Sequence, residues 1–342
     1  MDSVTQIVLG AAMGELCMGK KIGNRAQLIG AIAGTVPDLD VIANGFLNND
    51  IDKLLVHRSY SHALPVHVFL AIPFAWLCYK IFKQKYSFKD FYILWFLGLS
   101  THAILDSFTT YGTQLWLPFT RHLVGLNNIS VVDPIYTFIF MIPLIVCLFK
   151  RRDNPSRIKI AWFAFGISSL YMALTFVSKY VAHQKFEKAL VAQQIPYSQL
   201  STSPSILNNL LWAGIAYNDS VITVGEYSHL QQDDSIKFVS FARNTHLLDQ
   251  VSDKKIVKVL RWFSQDKYFV QQQSPDTLNV FLVKWGSTDF TKTEAKQRFL
   301  FYNQVTKDAN GVWTDKQVEP SDTLDMKLAF SQMMQRIVKR PN

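Results

Sequence analysis

Four long apolar runs decide what this chain can become. They occupy about residues 62–82, 91–110, 130–149 and 159–181. Each approaches the roughly 20 residues that a helix needs to cross the hydrocarbon core of a bilayer. The alternative is a set of buried helices in a soluble bundle. Four runs in close succession, separated by clusters of Lys and Arg, favour membrane spans instead. Two earlier runs, about 4–18 and 27–43, are less apolar, and "TVPDLD" interrupts the second. They are expected as shorter helices packed against the others, because lipid does not tolerate such a break.

From about residue 183 onward the sequence is ordinary polar globular sequence. The expected fold class is therefore composite. Residues 1–182 form an N-terminal all-α polytopic membrane helical bundle, with four clear spans plus two shorter N-terminal helices. Residues 183–342 form a C-terminal soluble α+β domain with a mostly antiparallel sheet. Its strand candidates lie within "SPSILNNLLWAGIAYNDSVITVGEYSHL", "SIKFVSFAR", "YFVQQQ", "LNVFLVKWG" and "RFLFYNQV", and "DKKIVKVLRWFSQ" reads as an amphipathic helix. His229 and His246 stand alone there and are expected to be structural.

The net charge of +9 follows the same division. Lys20, Lys21 and Arg25 lie between the first two runs. Lys80, Lys83, Lys85 and Lys89 lie between the next pair, and Lys150, Arg151, Arg152, Arg157 and Lys159 between the last pair. The positive-inside rule makes these three loops cytoplasmic. The segments 38–61 and 111–129, and everything after 182, then face outward. The expected location is a multi-pass inner membrane with an extracytoplasmic C-terminal domain. Asp2 stands where a signal peptide would be basic, so the first segment reads as a retained helix. No basic stripe with interleaved aromatics indicates nucleic acid, and the expected partners are the lipid bilayer and a lipid or envelope substrate. Cys17, Cys78 and Cys147 lie far apart in apolar segments and read as packing residues.

On that map the ionisable residues of the apolar half gather at one membrane face. Asp38 and Asp40 end the second run, and His57, Arg58 and His62 open the third. His102 and Asp106 sit in the outer half of the fourth. Such residues are costly in a membrane protein and mark sites. "THAILD" places His102 and Asp106 four apart, on one helical face, where both can reach one cation or the carboxylate can orient the imidazole. "PDLD" presents Asp38 and Asp40 beside Pro37, where a helix must end or bend. His and Asp together suit zinc, manganese or iron better than magnesium, and zinc is the expected cofactor. Asp38 is the candidate proton acceptor, and Arg58 can clamp a phosphate or carboxylate oxygen. "TTYGTQLWLPFTRH" reads either as an interfacial turn or as a lid through which Thr110, Gln114 or Arg121 touches substrate. His67 reads as a packed helix histidine and His122 as an outlier.

"TVPDLD", "HRSYSHAL" and "STHAILDSFTTYGTQLWLPFTRH", in that order, resemble the YdjM-like family of membrane-bound metal-dependent hydrolases. That family is distantly similar to the zinc-dependent phospholipase C and P1 nuclease group. The resemblance covers about residues 1–180 and implies Asp38, Asp40, His57, His62, His102 and Asp106 as metal ligands. It also implies hydrolysis of an ester or phosphoester by a metal-activated water at the outer membrane interface. Two positions depart from the pattern: Gln6 stands where many members carry histidine, and Ser59 where many carry glycine. Two other functions fit the same residues. One is a non-enzymatic scaffold or sensor with a structural metal site; the other is a transporter, which the one-sided clustering disfavours.

Overall fold

The structure is a computed structural model that describes residues 1–47, 49–231, 235–286, 299, 302–318 and 326–338. Its first helix, α1 (Ser3–Ile22), starts where Asp2 accepts the Thr5 N–H at 3.0 Å, as an N-cap should. After Gly23, at φ 63°, the chain reverses into α2 (Asn24–Thr35). The two helices meet through glycine. A Cβ on Gly10 would lie 2.2 Å from the Gly30 carbonyl oxygen, and one on Gly14 would lie 2.0 Å from that of Ala26. One on Gly34 would lie 2.5 Å from that of Gln6. Two G-x-x-x-G stripes, Gly10/Gly14 and Gly30/Gly34, thus let the backbones touch.

Beyond Thr35 the helix tightens into a 3-10 run, Val36–Phe46. Pro37 sits at its start, where a missing N–H costs little. "TVPDLD" therefore tightens the segment and does not break it, and Asn24–Phe46 is one helical run of 23 residues, long and apolar enough to cross a membrane. The short helix α3 (Asp50–Val56) and a 3-10 turn, Tyr60–His62, lead to α4 (Leu64–Ile81). Then follow α5 (Phe88–Ser107), α6 (Pro134–Leu148) and α7 (Ser156–Ala192).

Among the described residues, three helical runs qualify as candidate spans by length and composition: Asn24–Phe46, Leu64–Ile81 and Ser156–Ala192. Four were expected, and the differences have physical causes. The run at 130–149 yields only the 15 residues of α6, because Asp133 caps it and the chain before it is irregular. The run at 91–110 becomes α5, an interior helix with Phe91, Leu94, Leu99 and Ala103 fully buried. Its polar positions Ser100, His102 and Asp106 are buried as well. Arg157 also departs from expectation. It does not lie in a loop but is buried in α7, where it grips Glu15 of α1 with Nε at 2.8 Å and Nη2 at 2.6 Å.

The chain divides into two compact units, Met1–Phe46 with Val56–Phe176, and Leu47–Leu55 with Val177–Asn342. The second holds two four-stranded antiparallel sheets where one was expected. The first is β1 (Gln199–Pro204), β2 (Leu211–Tyr217), β3 (Val221–Ser228) and β4 (Phe238–Ala242), paired in that order. Asn218 closes the β2–β3 hairpin by accepting the Ser220 and Val221 N–H groups. After α8 (Lys254–Ser264) come β5 (Tyr268–Ser274), β6 (Thr277–Leu282), β7 (Tyr302–Lys307) and β8 (Trp313–Val318), also paired in order. A final helix, α9, spans Met326–Ile337. The strand expected over "RFLFYNQV" lies partly outside the described residues. The strands not foreseen, β1 "QLSTSP" and β8 "WTDKQV", are polar sheet edges without an apolar alternation to betray them.

Two predictions follow from this packing. Gly30→Leu must push α1 and α2 apart, whereas Gly166→Leu on α7 meets nothing within 4 Å. The first should cost about 3 kcal/mol or more by overpacking and the second almost nothing, read as recovery of monodisperse protein and its melting temperature in detergent. The second prediction concerns Asp315 on β8. Burial, with the charge of Asp50 added, pushes its carboxyl up to about 6. A raised carboxyl favours the neutral form in the folded state. The folded state therefore loses stability as pH rises through about 6. Asp315→Asn should melt with the wild type near pH 4 and a few degrees above it at pH 8.

Candidate metal centre

The site grows from the end of α2. A helix leaves its last four carbonyls without intrahelical partners. Pro37, three residues beyond Gly34, has no N–H to offer its carbonyl, and that oxygen lies 2.6 Å from His102 Nδ1 on α5. A carbonyl only accepts, so His102 carries its proton on Nδ1 and turns the Nε2 lone pair inward. His62, at the end of its 3-10 turn, is fixed in the same sense. Its Nδ1 lies 2.9 Å from Ser61 Oγ, and that hydroxyl donates to Asp40 Oδ2 at 2.9 Å. The hydroxyl has one proton, so His62 Nδ1 is the donor to it, and its Nε2 also points inward.

The two Nε2 atoms lie 3.1 Å apart. Asp38 Oδ1, from the 3-10 run, is 3.4 Å from His102 Nε2 and 3.6 Å from His62 Nε2. Asp106 Oδ2, one turn along α5 from His102, is 3.3 Å from His62 Nε2 and 3.8 Å from that of His102. All four ligand atoms fall within 4.8 Å of one another. Three of the side chains are fully buried, and only Asp38, at 23% exposure, opens toward the outside. Burial opposes charge on His62, but Asp106 and Asp38 outweigh it and hold its imidazole above the ordinary pKa. A positive charge thus belongs between these atoms, whether a proton or a cation. Two imidazoles and two carboxylates form a donor set that fits a divalent transition metal such as zinc. Buried oxygens without a hydrogen-bond donor, Gln6 Oε1 and Asp106 Oδ2, support that fit.

The other sequence candidates form a layer around this group. Asp40 and His57 pair with each other at 3.0 Å through His57 Nδ1, and Asp40 also accepts the Arg58 N–H at 2.7 Å. The His57 and His62 ring centres are 6.4 Å apart. Arg58 is buried, with φ 55°; its Nε is 3.0 Å from Asp106 Oδ2, though out of line for a hydrogen bond, and its guanidinium lies 4.7 Å from the centre of the Tyr111 ring. Burial pushes the Tyr111 hydroxyl up to about 12. Thr110 and Gln114 are buried, the latter with its N–H on the Arg58 carbonyl at 3.2 Å, while Arg121 and His122 are exposed. His67 is buried with Nε2 on the Ser61 carbonyl at 2.8 Å.

Sequence reasoning missed four supports. Gln6 donates to Asp106 Oδ1 at 2.8 Å and to the His102 carbonyl at 3.3 Å. The Met1 amino group also lies against Asp106. Ser61 and the Gly34 carbonyl set the two tautomers. Only Gln6 had a sequence signal, as the residue standing where the resembling family carries histidine.

Residues 1–182 match the model of a family described as YdjM inner membrane protein. Over 151 residues the chain is 30% identical to the "Uncharacterized protein YfhP" of Bacillus subtilis (strain 168). That match takes in 41% of this chain and 43% of the Bacillus protein, so it spans less than half of either. No solved structure matches the chain significantly.

The geometry separates four candidate ligands from the residues around them. Zinc measured by mass spectrometry on the purified chain should fall to background in His62→Ala and His102→Ala. It should stay near the wild-type level in His57→Ala, whose ring has no atom in the ligand group.

Proposed function

Because the chain belongs to the YdjM inner membrane protein family and converges two imidazoles and two carboxylates on one point, we propose that it is a membrane-embedded, divalent-metal-dependent hydrolase. Its substrate is an ester or phosphoester of a lipid or another envelope component. The observation that carries this reading is the 3.1 Å approach of the two inward-facing Nε2 atoms, flanked by Asp38 and Asp106. A divalent cation such as zinc, held by these residues, would supply Lewis-acid polarisation and a nucleophile near neutral pH.

The chain's own residues divide the remaining work. Asp38, the one partly exposed member, faces the approaching substrate. Arg58 is buried against Asp106, so it positions that carboxylate and does not clamp substrate from solvent. Asp40 holds the partly exposed His57 at Nδ1, an arrangement suited to accepting and returning a proton at the other ring nitrogen. Lys150, Arg151 and Arg152 still mark a basic loop, with Lys159 exposed on the first turn of α7, once Arg157 is withdrawn into the bundle. They support the placement of the site and of the C-terminal unit on the extracytoplasmic side.

One observation favours a second reading. The side chains brought together number four, which is the complement of a closed structural zinc site. A scaffold or sensor with a structural metal would use the same group. Turnover decides between them. Detergent-purified chain, loaded with zinc, should hydrolyse members of a panel of lipid headgroup esters and phosphoesters, lose the activity to a chelator and regain it with added metal. His57→Gln should retain zinc and lower kcat by about 100-fold. Bound zinc with no turnover across the panel would establish the structural reading.

A further inference from the structure

The C-terminal unit takes in a piece of chain from the middle of the sequence that builds the metal centre. Leu47–Leu55 group with Val177–Asn342, whereas Phe46 before them and Val56 after them belong to the first unit. Helix α3 (Asp50–Val56) thus begins in one unit and ends in the other. Asp38 and Asp40 precede it in the chain, and His57, Arg58 and His62 follow it.

A helix of seven residues does not hold itself together, because nucleation costs more than so few hydrogen bonds return. α3 is held from outside. Asn49 Oδ1 accepts the Asp52 N–H at 2.8 Å and caps its start, and Ile51 and Leu54 are buried. β8 is the outer strand of its sheet, so alternate N–H groups face away from β7. Asp50 Oδ2 accepts one of them, from Gln317, at 2.8 Å, and Asp50 Oδ1 takes Lys53 Nζ at 2.8 Å. Asp52 also pairs with Lys255 of α8 at 2.5 Å, but both side chains are partly exposed and such a pair contributes little. The bond from Gln317 is the firmer hold, since it is charge-assisted and its donor is fixed in a sheet.

The far end of α3 leads into the metal centre through two hydrogen-bonded turns. The Val56 carbonyl accepts the Ser59 N–H at 3.2 Å and the Ser59 hydroxyl at 2.6 Å. The Ser59 carbonyl accepts the His62 N–H at 3.0 Å. Between them Arg58 is left-handed and lies against Asp106. Asp40 gathers the Arg58 N–H, His57 and the Ser61 hydroxyl, which ties both turns to the 3-10 run bearing Asp38. The direction of α3 therefore decides where His62 Nε2 falls against Asp38.

We propose that α3 is the lever through which the C-terminal unit positions the metal ligands, with Asp50 as the positioning residue that holds it. Whatever the unit does to α3 is read out as metal affinity at Asp38, His62, His102 and Asp106. This role rests on the metal centre, whether the metal there is catalytic or structural.

The test uses the full chain in detergent, with zinc affinity measured by competition with a chromogenic chelator. Asp50→Ala and Asp50→Asn should each weaken zinc binding about 10-fold, the lower end of what residues supporting a metal contribute. Asn218→Ala is the control. Its side chain serves the β2–β3 hairpin of the same unit, on Ser220, Val221 and the Pro196 carbonyl, and its loss should leave the affinity near the wild-type value. Coupling is reciprocal, so zinc must also steady the lever. On the unaltered chain, zinc should slow hydrogen exchange at 50–56 and at 313–318 on β8. Asp50→Ala should remove the effect at 313–318 and keep it at 56–62. Unchanged zinc affinity in both Asp50 variants, with protection that stops at His57, would overturn the proposal. So would an equal loss of affinity in Asn218→Ala, since any loosening of the unit would then act alike. Wild-type chain that binds neither zinc nor cobalt would overturn the metal centre itself, and the lever's task with it.

Discussion

Backbone contact between α1 and α2 is the constraint on which the N-terminal unit depends. Most helix pairs keep their axes 8–10 Å apart because side chains intervene. Here Gly10, Gly14, Gly30 and Gly34 remove them. The close approach carries Gln6 on α1 and Gly34 on α2 toward α5, where they meet Asp106 and His102. Gly98 on α5 repeats the device against Ala33, at a Cβ distance of 2.6 Å. Three helices thus converge through small residues, and the polar cluster occupies the space above the convergence.

The unit buries two groups of charge, and they differ in completeness. Glu15 and Arg157 form a bidentate pair. Gln27 adds a hydrogen bond to Glu15, and Asn24 and the Lys150 carbonyl take up the Arg157 Nη1. That network is self-neutralising and needs nothing else, so it is a structural brace with a large cost only when one partner is removed. The group of Asp38, His62, His102 and Asp106 has two carboxylates, two imidazoles and one buried oxygen, Asp106 Oδ2, without a hydrogen bond. Arg58 and the Met1 amino group both lie against Asp106, whereas Asp38 faces the two imidazoles. Electrostatics therefore singles out one of the two clusters as a place for a cation.

The sequence was most legible where chemistry lies in side-chain identity. "THAILD" gave the helical spacing of His102 and Asp106, and "PDLD" gave the helix end beside Pro37. The strands with strong apolar alternation, such as β2 and β3, were visible for the same reason. What stayed hidden belongs to the backbone or to geometry. Nothing in "HRSYSH" tells that His62 enters the ligand group while His57 turns away to Asp40, because that depends on the left-handed backbone at Arg58. Hydropathy placed a span at 91–110, where α5 does not qualify among the described residues, and passed over Asn24–Phe46, which does. The G-x-x-x-G stripes were present as letters, but their meaning required knowing that two of them face each other.

The bond from His102 Nδ1 to the Gly34 carbonyl has an evolutionary side. When a carboxylate or hydroxyl orients a ligand, one nucleotide change can delete it. A peptide carbonyl is present whatever the codon specifies. Drift at position 34 can therefore disturb the imidazole only through bulk, by forcing the helices apart, and never by erasing the acceptor. The protonation pattern of this histidine is inherited with the path of the chain, not with any residue.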